Sequence, residues 1–481
     1  MLKPDFREIP VLRLRIRSDY LSNEPMAPPP IHPDQMQMDP QTFGDLEIFK
    51  ATTGPCVYDL CNQTRTEGGA KRLRGRMKKP WATPERIRGV QDSIRFVNEH
   101  RSAFDRLPWD TVTGVVERYL RRGGPVARDA RGLGLLIAAL ELRFSDARNY
   151  GRVMRGVLST FSMIRHLRSV LEALGSTDGR GEIRELMADT RSLLTNPDVA
   201  NVPAEERYDI SPWRLLSYDQ AFRGHGRETV ERLLRLVHEL DALVAMADTV
   251  AKHGFVMPEI REGSLHVVAE GVFHPFIEHA IANPVELDQG KRMLFLTGPN
   301  MAGKTTYLRA TGMAMYLAHL GMGVPARSFC FAPCQRLFTS ITITDDIRTG
   351  VSFFRAEALR MKAVAKAVAE GARVVALLDE PFKGTNLKDA LDASREILER
   401  LAERPDNLFM VASHLIELGE HMATTGNVDC RLFEASEDDE RLHFEYVLRD
   451  GISSQRLGMR VLREEGIFDL LDGMPTTSAV L

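Results

Sequence analysis

The chain has 481 residues, of which 43% are hydrophobic and 27% are charged, a composition typical of a globular protein that excludes wholesale disorder. The formal net charge of -3 excludes a uniformly basic protein that coats nucleic acid, although it is compatible with a local basic face. No apolar run approaches the roughly 20 residues that span a bilayer, and the N-terminus lacks a signal-peptide pattern. We therefore expect a cytoplasmic protein with no membrane partner, with association with the nucleoid as the alternative location.

We divide the chain into four segments. Residues 1–42 form an N-terminal leader with a proline-rich connector, because the prolines from Pro25 to Pro40 are incompatible with a helix. Residues 43–262 form a mainly α-helical domain, residues 263–472 form an α/β domain, and residues 473–481 form a flexible tail.

A cluster of basic residues follows the connector. One interpretation is the solvated face of a helix, and the alternative is a patch that contacts phosphates or another subunit. The cluster comprises Arg65, Lys71, Arg72, Arg74, Arg76, Lys78 and Lys79.

The helical domain contains one especially long periodic pattern. Apolar residues recur at three- and four-residue steps from Val230 to Val244, which predicts an amphipathic helix of about 25 residues. Lys252 and His253 followed by Gly254 are typical of a helix end.

After Phe255 short apolar runs alternate with helix-period segments. The runs at 293–296, 374–378 and 408–412 predict buried strands. This alternation predicts an α/β domain with a largely parallel sheet. Cys330 and Cys334 in this region are better explained as small apolar residues packed near a strand than as metal ligands, because no His or Cys pair completes a tetrahedral set at zinc-site spacing.

The strand predicted at 293–296 leads into a motif of the form G-x-x-x-x-G-K-[ST]. Between a strand and a helix, its glycines let the backbone wrap a phosphate, and the helix N-terminus supplies positive potential. Lys304 would reach the β- and γ-phosphates, and the Thr305 hydroxyl would hold Mg²⁺. The predicted nucleotide-binding residues are Gly298, Pro299, Asn300, Met301, Ala302, Gly303, Lys304, Thr305 and Thr306.

Two further predicted strands end in polar residues. Asp379 and Glu380 follow the strand at 374–378; the first acid suits the magnesium site of a P-loop protein, and the second can orient or deprotonate water. His414 follows the strand at 408–412 and can bond the γ-phosphate or that water. The predicted catalytic residues are Lys304, Glu380 and His414, and the predicted metal ligands are Thr305 and Asp379.

Several of these segments carry a family resemblance. Residues 297–307 read Thr-Gly-Pro-Asn-Met-Ala-Gly-Lys-Thr-Thr-Tyr and resemble the P-loop of MutS proteins, whose Gly-Pro-Asn-Met core is more specific than the general motif. Residues 345–354, 378–386 and 412–418 resemble the signature, acidic-strand and switch-histidine segments of the same family.

The resemblance implies a doubly wound P-loop ATPase domain of the ABC superfamily, preceded by a helical lever domain. In this family two ATPase domains pack head to tail, so a homodimer is expected in which Ser352 of one chain contacts the γ-phosphate of the ATP bound by the other. Tyr446 falls where the family commonly has a residue stacked near adenine, and residues 281–283 would lie on the other side of the base.

The sequence also departs from the family pattern. Ala302 replaces a P-loop glycine, which requires a negative φ at this position. Val351 replaces the usual arginine of the signature, and residues 381–383 read Pro-Phe-Lys instead of containing a Gly-Arg pair. No mismatch-reading or connector domain is recognisable before the helical core, so we expect a short member of the family.

Two functions of different classes fit these residues. The first is a Mg²⁺-dependent ATPase that binds mismatched or branched DNA in repair or recombination, with phosphate contacts from the basic cluster and from the arginine-rich helices at 118–168. The alternative is an ATP-driven switch that acts on proteins and does not bind DNA, which the net charge slightly favours. The sequence leaves the DNA structure and any repair-protein partner open.

Overall fold

The computed structural model describes residues 33–471 with the exception of 206–209, 343–352, 439–440 and 456. The predictions for the leader before residue 33, for Ser352 and for the tail from residue 473 lie outside the described residues. Among the described helices, none combines the length and the apolar character needed to cross a membrane.

Helices fill the described chain as far as residue 253. Side-chain caps begin several of them: Thr66 Oγ1 accepts a hydrogen bond from Gly69 N at 2.9 Å, and Asp39 Oδ1 accepts one from Thr42 N at 2.8 Å. The helices are α1 (Pro40–Asp45), α2 (Val57–Cys61), α3 (Glu67–Met77), α4 (Pro84–Glu99), α5 (Arg101–Phe104), α6 (Asp110–Arg121), α7 (Leu133–Ser145), α8 (Ala147–Leu174), α9 (Glu182–Leu194), α10 (Pro197–Ala200), α11 (Pro212–Gln220) and α12 (Arg227–His253), with a π-helical turn at Ala221–His225.

The long helix α12 confirms the helix predicted from the apolar periodicity. It has 27 residues and ends at Gly254, which adopts a left-handed conformation with φ 62°. The eight residues 240–247 are all buried, and α3, α4 and α9 pack against this helix. The helix is therefore covered on more sides than an amphipathic pattern implies.

Two sheets follow α12. The strands are β1 (Glu259–Ile260), β2 (Val267–Val272), β3 (Asn283–Leu287), β4 (Met293–Thr297), β5 (Ser328–Phe331), β6 (Arg336–Ser340), β7 (Val374–Asp379), β8 (Leu408–Ala412), β9 (Val428–Asp438) and β10 (Arg441–Asp450). The helices are α13 (Lys304–His319), α14 (Phe353–Ala369), α15 (Leu387–Ala402), α16 (Ile416–Met422), α17 (Gly458–Glu464) and α18 (Ile467–Leu471).

The smaller sheet has the strand order β1-β5-β2-β3, and the six-stranded sheet has the order β10-β9-β4-β8-β7-β6. In the larger sheet β9, β4, β8, β7 and β6 are parallel, and β10 is antiparallel to β9. The strands predicted at 293–296, 374–378 and 408–412 are confirmed as β4, β7 and β8. The loops that follow these neighbouring parallel strands therefore meet at one edge of the sheet.

Both faces of the six-stranded sheet are covered. Leu294 and Leu296 of β4 belong to a core shared with α13 and the helical region, whereas Met293 and Phe295 belong to a second core with α14, α15 and α16. Burial on both faces explains why the strands read as continuous apolar runs.

The first helix packs against the edge of the larger sheet. The Asp45 carboxylate accepts a hydrogen bond from Thr339 Oγ1 at 2.7 Å, and Arg360 of α14 donates one to Thr42 Oγ1 at 2.8 Å. The sequence assigned residues up to 42 to a connector, whereas α1 begins at Pro40 because these polar contacts fix this part of the chain to β6 and α14.

Candidate nucleotide site

Residues 298–303 form the loop between β4 and α13. Gly298 has φ 144°, and a Cβ there would lie 2.5 Å from the carbonyl oxygen of Phe433, so the position requires glycine. Gly303 has φ 102° and precedes the first residue of α13. Ala302 is buried and its φ is not positive, so the expected tolerance of alanine at this position is confirmed.

Lys304 is enclosed by its own loop. Its side chain is buried, and Nζ donates hydrogen bonds to the carbonyl oxygens of Gly298 at 2.7 Å and Pro299 at 3.0 Å. Burial lowers the pKa of Lys304, while the charges of Glu380 and Asp379 oppose that change. The loop therefore already wraps around a cation of the kind that binds phosphate oxygens.

Thr305 and Asp379 meet at the ends of α13 and β7. Thr305 Oγ1 donates a hydrogen bond to Asp379 Oδ2 at 2.6 Å. Burial and the neighbouring Glu380 charge raise the pKa of Asp379, whereas the Thr305 hydrogen bond and the Lys304 charge lower it. A partly buried carboxylate beside a hydroxyl and a second carboxylate supplies the hard oxygen atoms that Mg²⁺ prefers, so these residues fit that ion.

Glu380 and His414 join the ends of two neighbouring strands. Glu380 has φ 50°, its N–H donates to the carbonyl oxygen of Ala412 at 2.8 Å, and its carboxylate contacts His414 Nδ1. Burial would raise the pKa of Glu380, but the hydrogen bond and charge of His414, with Lys304 and Lys383, lower it overall. The hydrogen bond to Glu380 raises the pKa of His414. Glu380 is therefore held as a carboxylate.

Tyr446 lies next to Gly303 of the P-loop. It has φ 55° at an irregularity between β9 and β10, and a Cβ on Gly303 would lie 3.1 Å from its ring atom Cδ1. Asn283 fixes this irregularity, because its side-chain amide donates to Tyr446 O at 2.9 Å and its Oδ1 accepts from Leu448 N at 2.7 Å. The aromatic ring and the 281–283 segment therefore both border the same cleft.

This cleft has a volume of ≈ 720 Å³. An adjoining cleft of ≈ 600 Å³ shares Pro299, Asn300 and Met301 with it and adds Gly298 and His414. The predicted residues that line the larger cleft are Pro299, Asn300, Met301, Ala302, Gly303, Lys304, Thr305, Thr306, Asp379, Glu380 and Tyr446.

Lys383 is a cleft residue for which the sequence assigned no role. It lines the larger cleft, and its backbone N–H donates to Glu357 Oε1 of α14 at 3.2 Å. Its charge lowers the pKa of both Asp379 and Glu380. The only sequence signal for it is the Pro-Phe-Lys departure at 381–383.

A glycine-rich loop with a buried lysine and an acidic pair at the end of another parallel strand of the same sheet define the class of P-loop nucleotide-binding domains. Within that class, the family model of MutS domain V matches residues 294–470, from β4 to α18. The matched segment is therefore the ABC-like P-loop ATPase domain of the MutS family. Its general function is that of a MutS-like ATPase in a family associated with DNA repair.

Proposed function

We propose that this protein is a Mg²⁺-dependent ATPase that acts as a homodimer and binds DNA in repair or recombination. The observation that carries the catalytic part is the convergence of three groups at one sheet edge: the buried Lys304, the Thr305–Asp379 pair and the Glu380–His414 pair. These groups supply a phosphate ligand, a metal site and a base within one cleft.

Thr305 and Asp379 are the proposed Mg²⁺ ligands. Mg²⁺ neutralises negative charge on the β- and γ-phosphates when it is bound. Lys304 exchanges its hydrogen bonds to Gly298 O and Pro299 O for phosphate oxygens, so the loop keeps a cation at its centre throughout.

Glu380 is the proposed acceptor for the attacking water. In the reaction a bond forms between the water oxygen and the γ-phosphorus, and the bond from the γ-phosphorus to the β–γ bridging oxygen breaks, which releases ADP and phosphate. Glu380 accepts the water proton, because its lowered pKa keeps the carboxylate ionised at neutral pH. His414 orients that carboxylate and stabilises its charge.

Dimerisation through the ATPase domains is supported by the surface around the P-loop. Met301 is 72% exposed and Leu387 is 67% exposed, and both border the adjoining cleft with His414. Large apolar side chains at the rim of a charged site suit coverage by another protein surface. We propose that a second copy covers this rim and contributes its Ser352 to the γ-phosphate.

The catalytic proposal is tested by measuring ATP hydrolysis with Mg²⁺ and with EDTA for the wild type and for Asp379→Asn. We expect hydrolysis that requires Mg²⁺ and a higher Mg²⁺ requirement in the variant, because one charged ligand is lost. Wild-type hydrolysis that persists unchanged in EDTA would contradict the metal assignment.

The dimer is tested by mixing Lys304→Ala and Ser352→Ala chains, each expected to be inactive alone. In a two-fold symmetric dimer, random mixing restores one intact site in each heterodimer, about a quarter of the wild-type activity. A mixture with no activity above the separate variants would contradict completion of the site by the partner.

A further inference from the structure

A groove rich in arginine lies in the helical region, far along the chain from the P-loop motif. It has a volume of ≈ 750 Å³ and is bordered by α6, by the segment after α6 and by α8. We define the arginine groove by five of its lining residues, Arg118, Arg122, Arg152, Arg155 and Arg223.

The groove exists because α6 and α8 approach closely at one point. A Cβ on Gly156 of α8 would lie 2.2 Å from Cδ2 of Tyr119, so the tyrosine ring packs directly on the α8 backbone. Arg118 is adjacent to this ring on α6, and Arg155 is adjacent to Gly156 on α8. Close packing of the two helices therefore brings arginines from both of them to one cavity.

The floor of the groove is an internally neutral network. Asp219 is fully buried, and Oδ1 accepts hydrogen bonds from Tyr119 OH and from Arg223 Nε, each at 2.6 Å. Asp219 Oδ2 accepts from Arg223 at 2.8 Å and from Val126 N at 2.9 Å. The Asp219 carboxylate is thus fully used in fixing the groove and neutralising Arg223.

The other four arginines of the groove present their charged side chains to solvent. They are exposed, they form no ion pair with the described residues, and no carboxylate is among the described residues that line the groove. Like charges facing one cavity repel one another and lower the stability of the fold. An anionic ligand would remove that repulsion.

The positive surface continues beyond this groove. A neighbouring cavity of ≈ 540 Å³ shares Gly124 and Arg223 with it and adds Arg128 and Arg131, which are also exposed. A stripe of this kind matches a polymer with regularly repeated charges better than a single small anion. Tyr119 is the aromatic residue in the groove lining, and it is only 5% exposed, so the described lining offers no surface for stacking unpaired bases.

The basic cluster at 65–79 differs from this groove. Arg65 pairs with Asp105 at 2.7 Å, Arg72 with Glu239 at 3.3 Å, and Arg76 with Glu182 at 2.8 Å. Arg74 lies 4.7 Å from the ring centroid of Phe49. Most of this cluster is therefore engaged with other parts of the chain and is less available to phosphates.

We propose that the arginine groove binds the phosphate backbone of a nucleic-acid duplex independently of its sequence. The inference rests on the nucleic-acid part of the proposed function and assigns that function to Arg118, Arg122, Arg152 and Arg155. Each guanidinium can donate two hydrogen bonds to a phosphate.

The test compares three full-length proteins on a DNA duplex, an RNA duplex of the same sequence and a four-way DNA junction, across a salt series. The groove variant carries Arg118→Gln, Arg122→Gln, Arg152→Gln and Arg155→Gln. The matched variant loses the same charge from the basic cluster through Lys71→Gln, Arg72→Gln, Lys78→Gln and Lys79→Gln. ATP hydrolysis and thermal unfolding confirm that both variants are folded.

We expect the groove variant to lose at least about tenfold in affinity. The slope of its log affinity against log salt concentration should become less negative by about three to four. The matched variant should change that slope by less than about one. A four-fold Arg-to-Lys variant of the groove should keep the slope, because it keeps the charge.

The outcomes separate the two proposals. If the wild type binds a duplex and the groove variant keeps its affinity and slope, or if only the matched variant loses them, the groove assignment is overturned while nucleic-acid binding stands. If the wild type binds no duplex or junction, both fail. Equal loss on DNA and RNA supports backbone recognition, whereas loss on the junction alone would overturn recognition of a duplex backbone.

Discussion

The nucleotide cleft and the arginine groove both contain cationic side chains, but they are built in opposite ways. In the cleft a single lysine is buried among backbone carbonyls and balanced by Asp379 and Glu380. In the groove four arginines face solvent without a carboxylate among the described lining residues. An enclosed site suits a single ligand that must be held in one geometry for a reaction. An exposed site suits a ligand with repeated charges that is attracted over a longer distance.

The largest effect is expected from Glu380→Gln. The substitution keeps the size of the side chain but removes the proton acceptor, so kcat should fall by about 10²–10⁴-fold while ATP binding is retained. The measurement is steady-state hydrolysis together with equilibrium binding of ATP. Glu403→Gln, at an exposed carboxylate at the end of α15, is the matched control. Normal turnover in Glu380→Gln would remove Glu380 from its proposed role.

A smaller effect is expected from Lys383→Gln. Its cationic side chain lines the cleft and acts on the Asp379 and Glu380 charges, so its loss should lower kcat/KM by about tenfold, the size of one charge-assisted hydrogen bond. Lys388→Gln on the exposed part of α15 should leave the rate unchanged. Equal rates in the two variants would mean that Lys383 has no part in the nucleotide site.

The smallest effect concerns the pH dependence of stability through Glu380 and His414. The folded chain lowers the pKa of Glu380 from 4.5 and raises that of His414 from 6.5. The pair therefore contributes fully to the stability of the fold at pH values between these two ordinary pKa values. The contribution is lost as pH falls through the lowered Glu380 pKa or rises through the raised His414 pKa. Because the imidazole is half exposed, we expect less than about 1 kcal/mol.

Urea unfolding of the wild type and His414→Gln at several pH values measures this contribution. The difference in the free energy of unfolding should be largest in the mildly acidic range and should shrink as pH rises above the His414 pKa. A double variant with Glu380→Gln separates the pair from other effects. A difference that does not vary with pH would show that the pair is not charged in the folded protein.

The sequence predicts the parts of the site that are formed by residues adjacent in the chain. The P-loop, the acidic pair and the histidine each follow an apolar strand, and β4, β7 and β8 are neighbours as that pattern requires. The position of Lys383 depends on a loop held by Glu357, which lies 26 residues earlier in the chain. No local pattern reveals that contact, so the sequence marks Lys383 only as part of a departure from the family pattern.

The two basic regions show the same limit. Under the DNA-binding hypothesis the sequence predicts phosphate contacts from both the cluster at 65–79 and the arginine-rich helices at 118–168, with a solvated helix face as the alternative for the cluster. Arg72 pairs with Glu239 and Arg76 with Glu182, partners more than a hundred residues away. The four exposed arginines of the groove, in contrast, form no ion pair with the described residues. Charge counts along the chain cannot distinguish a neutralised arginine from one that faces solvent, because tertiary packing decides which partners are near.

The most direct test of the nucleotide site is ATP hydrolysis by Lys304→Ala beside the wild type, with Lys362→Ala on the exposed surface of α14 as control. We predict that the wild type and the control hydrolyse ATP equally and that Lys304→Ala loses about 10²–10³-fold in kcat, because a preorganised charge at the phosphates is removed. Hydrolysis by folded Lys304→Ala at the wild-type rate would contradict the assignment of this cleft as the ATPase site.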